Sequence, residues 1–448
     1  MIYSLKNAIV IGGGVAGLLA AHILANHCDK VTLIERDIYP EEPVFRAGVP
    51  QGRQVHTMLL RGQHELERLF PGIGERLVAQ GAIRRTYGYD TLSSYGGVRC
   101  IRVGPLLPGW NCSRLLLEWQ LRQELRAHSQ IHLLEGHEVV NLLFGQGKRV
   151  CGVQFRERTS LPTREKDIRT LSGDLIIDAG GMSSAFPMWL KEQGYEVPYE
   201  TMIDASVGYA TRFYAKPAHM QIDWKGMTVQ GEHQRGGLLM EIEHEQWMLV
   251  LTGVGEDHPS TKENEFLTFA QSLPEQTLYK MAKDATPLSS IYGYRRTENR
   301  RRHVEQQRHF PENLLVMGDA ACCFNPIYGQ GMTVSVLEAI ALDRCLSQGR
   351  KRLAPRFHRH VARIVAGPWR IAAATDARNS SKNRRPSFSV WYMERLTLLL
   401  PSNERALLTF YKVLHMLLSP AALLSPMLLW KVLTYKPVSP PQKGQESR

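Results

Sequence analysis

The sequence predicts an α/β fold: a Rossmann-like dinucleotide-binding domain built from discontinuous stretches, an inserted antiparallel-sheet domain, and a C-terminal helical region. Three observations predict it. Apolar strands run into glycine turns three times, at Ala8-Ile-Val-Ile-Gly12, Leu175-Ile-Ile-Asp178-Ala-Gly180 and Asn313-Leu-Leu-Val-Met-Gly318-Asp319. Between the second and the third, alternating apolar residues and spaced glycines recur from Ser206 to Gly255, as in an antiparallel sheet. Beyond Arg350 the pattern is helical. These divisions assign residues 1–81, 105–184 and 300–350 to the dinucleotide-binding domain, 82–104 and 185–299 to the sheet domain, and 351–448 to the helical region.

The composition supports that size and narrows the partners. With 448 residues, two or three domains are expected. A hydrophobic content of 43% and a charged fraction of 22% describe a large core and exclude a disordered chain. The net charge of +12 favours phosphates or an anionic membrane surface. No zinc-finger spacing or RNA-binding signature accompanies the basic clusters at Arg295–Arg302 and Arg350–Arg363, so no nucleic-acid partner is expected. Seven scattered cysteines without a C-x-x-C fit a reducing, cytoplasmic compartment and argue against a disulfide framework or a zinc site. Met1 to Val10 lead straight into the first glycine turn, which leaves no room for a cleavable signal peptide.

The first turn, Gly12-Gly13-Gly14-Val15-Ala16-Gly17, has G-x-G-x-x-G spacing, an apolar strand before it and an Ala/Leu helix after it. Gly12 permits the tight turn, Gly14 lets the backbone approach a pyrophosphate, and Gly17 lets helix and strand pack closely. The next strand, Val31-Thr-Leu-Ile-Glu35-Arg36, ends in an acid suited to accept from ribose hydroxyls. This pattern predicts a dinucleotide and does not distinguish NAD from FAD.

A loop broken by glycine and proline follows, Phe45-Arg46-Ala-Gly48-Val-Pro50-Gln51-Gly52-Arg53-Gln-Val-His56, and leads into a helix from about Leu59 to Leu69. Its arginines and histidine are placed to reach a cofactor or to face solvent. Glycine-rich alternation from Ala82 to Gly104 predicts a hairpin leaving the first domain. Ser113 caps a helix whose first turn carries Arg114, where a cation opposes the helix dipole. The guanidinium is better placed there if it faces an external anion such as a pyrophosphate, the alternative being a surface arginine. Strands are expected around Ile131, at Glu138–Val140 and from Val150, with Glu157–Arg169 as a surface hairpin. Phe266–Met281 reads as helical.

The third glycine strand puts Asp319 at the end of a buried run, then Asn325-Pro326-Ile-Tyr-Gly329-Gln-Gly331-Met332, then a long helix. A helix N-terminus behind glycines is a site for negative charge; the plainer reading is an Asp satisfying its own turn. Farther on, Gly367-Pro368-Trp369 and Asn379–Pro386 read as breaks. Val413–Trp430 holds no Asp, Glu, Lys or Arg but is interrupted by His415, Pro420 and Pro426. Two short apolar helices, packed on the body or lying in a bilayer surface, fit it better than one span.

Taken together, the three glycine strands resemble the flavoprotein monooxygenases of the p-hydroxybenzoate hydroxylase type. Gly12-x-Gly14-x-x-Gly17 with Glu35 and Arg36 matches that family's ADP-binding part. Asp178-Ala-Gly180 stands at its Asp-Gly signature, and Gly318-Asp319-Ala320 with Pro326 and Gly329-Gln-Gly331 at its flavin signature. The Gly48–His56 loop and Asn325–Met332 are closer to the squalene and polyketide epoxidase branch. The resemblance covers about Ala8 to Leu346. It implies FAD, with Gly12, Gly14, Val15, Ala16 and Gly17 on the pyrophosphate and Glu35 on the adenosine ribose. It also implies Arg114 on the phosphates, Val139 at the adenine, Asp319 on the ribityl chain, and Gly329 to Met332 at the flavin's N1/C2 edge. Arg46, Arg53 and His56 are candidates to line the flavin, and no residue is assigned to catalysis. The second signature lacks the family's adjacent Asp-Gly. NAD(P)H is therefore expected as electron source either directly or through a separate reductase.

The function implied is a C4a-hydroperoxyflavin monooxygenase that epoxidises or hydroxylates an apolar unsaturated substrate (an isoprenoid, polyketide or aromatic) with molecular oxygen, in secondary metabolism. The sheet domain would bind that substrate, and the C-terminal helices offer peripheral membrane contact. An FAD-dependent reductase or desaturase of isoprenoids, a flavin-dependent halogenase (disfavoured by the missing W-x-W-x-I-P stretch) and a non-catalytic flavoprotein are the alternatives.

Overall fold

Nearly continuous apolar runs make the first strands parallel and doubly covered, because a strand buried on both faces has no polar face to show. In chain order, the elements that position the site are β1 (Leu5–Ile11), α1 (Val15–Ala25), β2 (Cys28–Ile34), β3 (Thr91–Tyr95), α2 (Arg114–Arg126), β4 (Ile131–Leu134) and β5 (Leu175–Asp178). They continue as β6 (Val207–Ala215), β7 (Gly226–Gln230), β8 (Gly236–Ile242), β9 (Gln246–Val254), β10 (Leu314–Val316) and α3 (Gly331–Ser347). Four further helices are α4 (Leu353–Asn379), α5 (Phe388–Leu399), α6 (Glu404–Leu414) and α7 (Pro426–Thr434). The structure is a computed structural model that describes residues 5–158, 167–204, 206–231, 235–295, 297–379 and 388–435.

The expected α/β fold is the one observed. The parallel sheet runs β10-β5-β1-β2-β4. Register matters more than order. Ile11 pairs with Asp178, Asp178 with Val316, and Ile11 with Ile34. The three glycine-ended strands are therefore neighbours that stop at one level, and their turns gather along one carboxyl edge, where α/β sheets bind ligands. Helix α1 is apolar around its whole circumference because it is enclosed, with Leu18, Leu19, Ala20, Ala21 and Leu24 fully buried against the sheet, α2 and α3. A three-stranded antiparallel sheet (His137–Phe144, Val150–Glu157, Arg169–Ser172) flanks it. The expected Glu157–Arg169 excursion lies largely at 159–166, outside the described residues.

The inserted sheet has eight strands, with β6, β9, β8, β7 and β3 consecutive along it. Its pairs are antiparallel except β7 with β3, where Gly226 faces Thr91. Ile83–Thr86 does not pair with β3 as a simple hairpin would require; it pairs with Pro108–Asn111, and the hairpin forms farther on, between β3 and Val98–Arg99. Phe186–Glu192 buries Phe186, Trp189 and Leu190 in the core beside the parallel sheet. The Phe266–Met281 stretch is two helices, Glu263–Gln271 and Thr277–Asp284, parted around Pro274.

The break expected at Gly367-Pro368-Trp369 is absent: α4 runs through it with Pro368 inside. Proline deprives Ile364 of one helical hydrogen bond, but Val365, Trp369 and Ala372 are buried in the main core, and that burial holds the helix together across the defect. The Asn379–Pro386 break lies almost wholly outside the described residues. The apolar Val413–Trp430 stretch is divided, as its prolines dictate, between the end of α6, a short turn of helix at Pro420–Leu424, and α7. Among the described residues no helix is long and apolar enough to cross a membrane. Buried Tyr87, Leu60 and Tyr95 pack in one cluster with Leu396, Leu407, Tyr411 and Val432.

Candidate cofactor site

One elongated cavity of about 430 Å³ runs along the carboxyl edge of the parallel sheet. Glu35, Arg36 and Val139 line one end, the Gly12–Ala16 turn lines the middle, and Asp319 with Gly329–Met332 lines the other. Gly12 sits at φ +90°, and a Cβ there would stand 2.6 Å from the Ala179 carbonyl oxygen, so the first two glycine turns touch. Gly17 instead lets the helix close on the turn, since its Cβ would come within 1.8 Å of the Gly12 carbonyl. Nothing lies within 4 Å of a Cβ built on Gly14, which faces the open channel.

At the Glu35 end a buried ionic cluster orders the loop. Glu35 accepts from the Gly13 N–H at 2.6 Å and from the Asp37 N–H at 3.0 Å. Arg46 pairs with Glu35 and Asp37, both at 3.1 Å, and with Glu118 of α2 at 3.3 Å. Burial works against the Arg46 charge, but Glu118 and Glu35 outweigh it and hold the guanidinium protonated more firmly than usual. Arg114 donates to Glu118 at 2.7 Å, one helical turn on. Burial pushes the Glu118 carboxyl up, yet Arg114 and Arg46 overcome it and keep the acid ionised below its ordinary range. Arg114 therefore has an internal partner that offsets much of its quarrel with the helix dipole, while still lining the cavity. Its other neighbour is His56, 3.4 Å away, whose imidazole burial and the Arg114 charge depress to about 3 and so keep neutral.

At the other end Asp319 follows Gly318, whose φ of +63° turns the strand toward the cavity. The Asp319 carboxylate oxygen lies 3.8 Å from where a Gly331 Cβ would stand, in front of the first turn of α3. Burial raises its pKa, with Arg114 and Arg300 pulling the other way. Behind the turn, fully buried Glu338 accepts from the Gly318 N–H at 2.6 Å, and burial pushes its carboxyl to about 8. The Gln330 Oε1, buried at the N-cap of α3, has no hydrogen-bond partner among the described residues. Thr333 accepts from the Leu59 N–H at 3.2 Å, and His415 of the C-terminal region accepts from the next amide, Leu60, also at 3.2 Å.

Of the residues expected in the site, Gly12, Gly14, Val15, Ala16, Glu35, Arg36, Arg46, Arg114, Val139, Asp319, Pro326, Gly329, Gly331 and Met332 all line this cavity. Gly17 and Gly318 stand behind the lining and shape it. His56 lines it; Arg53 does not, and lies instead over the Tyr292 ring, 4.9 Å from its centroid. Sequence reasoning missed Asp37 and Glu118, and that the Gly13 N–H would hold Glu35; these roles depend on partners 9, 72 and 22 positions away in the chain. A carboxylate at i+4 from Arg114 was the one local signal for Glu118. Asp178, fully buried, anchors its own turn by accepting from Gly180 at 2.8 Å and from Ser184.

With this geometry in place, the comparisons fix the class. The model of the FAD binding domain family matches residues 6–352, so the chain belongs to that family, which includes FAD-dependent monooxygenases, and it is an oxidoreductase. It is 30% identical over 379 residues to Protein Rv3254 of Mycobacterium tuberculosis, covering 83% of this chain and 80% of that one. It is 24% identical over 374 residues to kynurenine 3-monooxygenase of Salinispora tropica, covering 76% and 73%. The flavin-dependent brominase Bmp2 shares the fold at a TM-score of 0.66 and 14% identity over 92% and 93% of the two chains. FAD fits what is present: an open channel at Gly14, an acid at one end, and an unsatisfied polar atom with a helix N-terminus at the other.

Proposed function

We propose that the protein is a flavin-dependent monooxygenase that epoxidises or hydroxylates a largely apolar, unsaturated substrate. The carrying observation is the single channel in which Asp319 and the N-terminus of α3 face the Gly12–Ala16 turn and Glu35. In this reading the FAD pyrophosphate lies against Gly12–Gly17 and Arg114, the adenosine against Glu35 and Val139, and the ribityl chain against Asp319. Bound flavin supplies the activation of molecular oxygen. The chain supplies the rest. The first-turn N–H groups of α3 would face the flavin ring and would favour negative charge on it. Tyr292, Phe45 and Phe213, in mutual ring contact, hold Arg53 of the loop that walls the cavity. Neutral His56 adds a polar group to the cavity beside Arg114 without a second charge.

The inserted sheet would bind the substrate, and NAD(P)H, directly or through a reductase, would supply electrons. Exposed Leu424, Met427, Trp430 and Leu433 beside Lys431 support peripheral contact with an anionic bilayer. The test of activity is mass spectrometry of products formed by the FAD-loaded enzyme under isotopically labelled O₂, with alkene and aromatic substrates. Incorporation of one labelled oxygen is expected. Products that gain only hydrogen would replace this reading with a reductase, and chloride- or bromide-dependent products with a halogenase.

A further inference from the structure

Behind the turn that carries Asp319, a carboxyl group is shut away from water with nothing to neutralise it. Glu338 stands on α3 one turn after Ser335, which lines the cavity, and is fully buried. Helix side chains lean toward the N-terminus, so this one reaches back to the strand turn and accepts from the Gly318 N–H at 2.6 Å. Its other oxygen, Oε1, has no hydrogen-bond partner among the described residues. No cation offsets it, and the one charge acting on it is that of Asp319, which has the same sign. Groups on the elements packed around α3 do not change this. His22 of α1 and His358 of α4 are held neutral chiefly by burial, at about 4 and about 3. Glu65, on the helix Leu60–Leu69, pairs with Arg61 and Arg68, each at 2.8 Å. Asp343, farther along α3, holds His27 at 2.7 Å, and burial pushes the Cys322 thiol up and keeps it protonated.

Full burial, a like-charged neighbour and a single donor all favour the acid over the carboxylate. They push the Glu338 carboxyl to about 8, so the group is uncharged at neutral pH. It sits where a charge would matter. Asp319 and the first turn of α3 line the end of the cavity assigned to the flavin ring, and Glu338 stands directly behind both. Reduction of that ring by two electrons and one proton leaves it with a single negative charge. In a dry interior, a second negative charge behind the turn would oppose this form by a factor on the order of ten.

We propose that Glu338 is a positioning residue that sets the reduction potential of the bound flavin, giving the Gly318–Asp319 turn an uncharged acceptor where a carboxylate would repel the reduced ring. This rests on FAD filling the cavity and is independent of the oxygen chemistry, so it applies equally to a monooxygenase and to a reductase. Glu338 touches neither ring nor substrate and acts through the turn. At a pH above its range the oxidised enzyme has lost the Glu338 proton, and reduction draws one back. The ring then gains two electrons and one proton, and the Glu338 carboxylate takes a second proton from water.

The test is reductive titration of the FAD-loaded enzyme with dithionite against a redox dye, from about pH 6.5 to 9.5, beside Glu338→Gln. Glutamine keeps an acceptor for the Gly318 N–H and cannot titrate. The variant's potential should fall by about 30 mV per pH unit, the value for one proton per two electrons. Wild type should match it below about pH 7 and fall up to twice as steeply above about pH 8. Infrared spectra of the flavin-free wild type near neutral pH should show a protonated-carboxyl stretch that Glu338→Gln lacks. Parallel potentials for the two proteins at every pH, or no such band, would overturn the proposal. Should Glu338→Gln retain no flavin, wild type decides alone: steepening above about pH 8 supports the proposal, and one slope throughout overturns it. Wild type that takes up no FAD would overturn the reading of the cavity, and this inference with it, before any titration begins.

Discussion

Arg46 and Glu35 form a 3.1 Å ion pair in which each side chain is only 7% exposed. The same guanidinium is shared with Asp37 and Glu118, so one cation from the loop after β2 ties acids of its own loop to an acid of α2. Removing it leaves buried Glu35 with no cationic partner among the described residues, while Glu118 keeps Arg114 and Asp37 keeps Arg158. Arg46→Met is expected to destabilise the protein by about 3–5 kcal/mol, the usual cost of orphaning a buried charge. Denaturant titration of the flavin-free protein measures it, and a loss below about 1 kcal/mol would mean that water screens the cluster.

Gly14 and Gly17 separate binding from folding. Gly14→Ala meets no atom within 4 Å in the protein, so its thermal stability without flavin should match wild type while FAD affinity falls at least about tenfold. Gly17→Ala puts its Cβ 1.8 Å from a backbone oxygen, and should yield little soluble protein at all. Equal flavin affinity in Gly14→Ala, measured by equilibrium dialysis, would show that the pyrophosphate runs elsewhere.

Asp319→Ala should leave the fold intact, since among the described residues the carboxylate makes no hydrogen bond to another element, and should abolish co-purification of FAD. Full flavin content by absorbance would remove Asp319 from the site. Asp319→Asn, which keeps a hydrogen-bonding oxygen, should retain part of the affinity.

Glu338 gives a pH signature. Its folded pKa is raised from 4.5 to about 8, so the unfolded chain ionises first, and stability falls as pH rises through that window. Each pH unit inside the window is worth up to about 1.4 kcal/mol. Glu338→Gln preserves an acceptor for the Gly318 N–H and should flatten the decline, becoming more stable than wild type near pH 8. Parallel stability curves for the two proteins between pH 5 and 8 would show that Glu338 is ionised in the fold.

What the sequence made legible were features carried by neighbours in the chain. The G-x-G-x-x-G turn, the acid closing β2 and the Gly-Asp turn at the end of β10 each announce themselves within a few residues, and all meet in one cavity. Register then does the remaining work, because aligning Ile11, Asp178 and Val316 is enough to bring the three turns together. The partners were hidden. Glu118 lies 72 positions from Arg46, and Glu338 lies 20 from Gly318, distances over which no local pattern speaks. The Pro368 expectation failed for the same reason: local propensity favours a break, and long-range burial of Trp369 overrules it. The hydrogen bond from Leu60 to His415 was invisible too, since it spans 355 positions of chain.

Consecutive amides at Leu59 and Leu60 are held from opposite sides, one by Thr333 at the head of α3 and the other by His415. His415, at the end of α6, therefore braces the segment that follows the cavity-lining His56 and Thr57. Clipping the C-terminal helices would uncover Tyr87 and Leu60 and loosen the bracket next to the candidate flavin cavity. A truncated enzyme should thus forget how to seat its substrate before it forgets how to hold its cofactor.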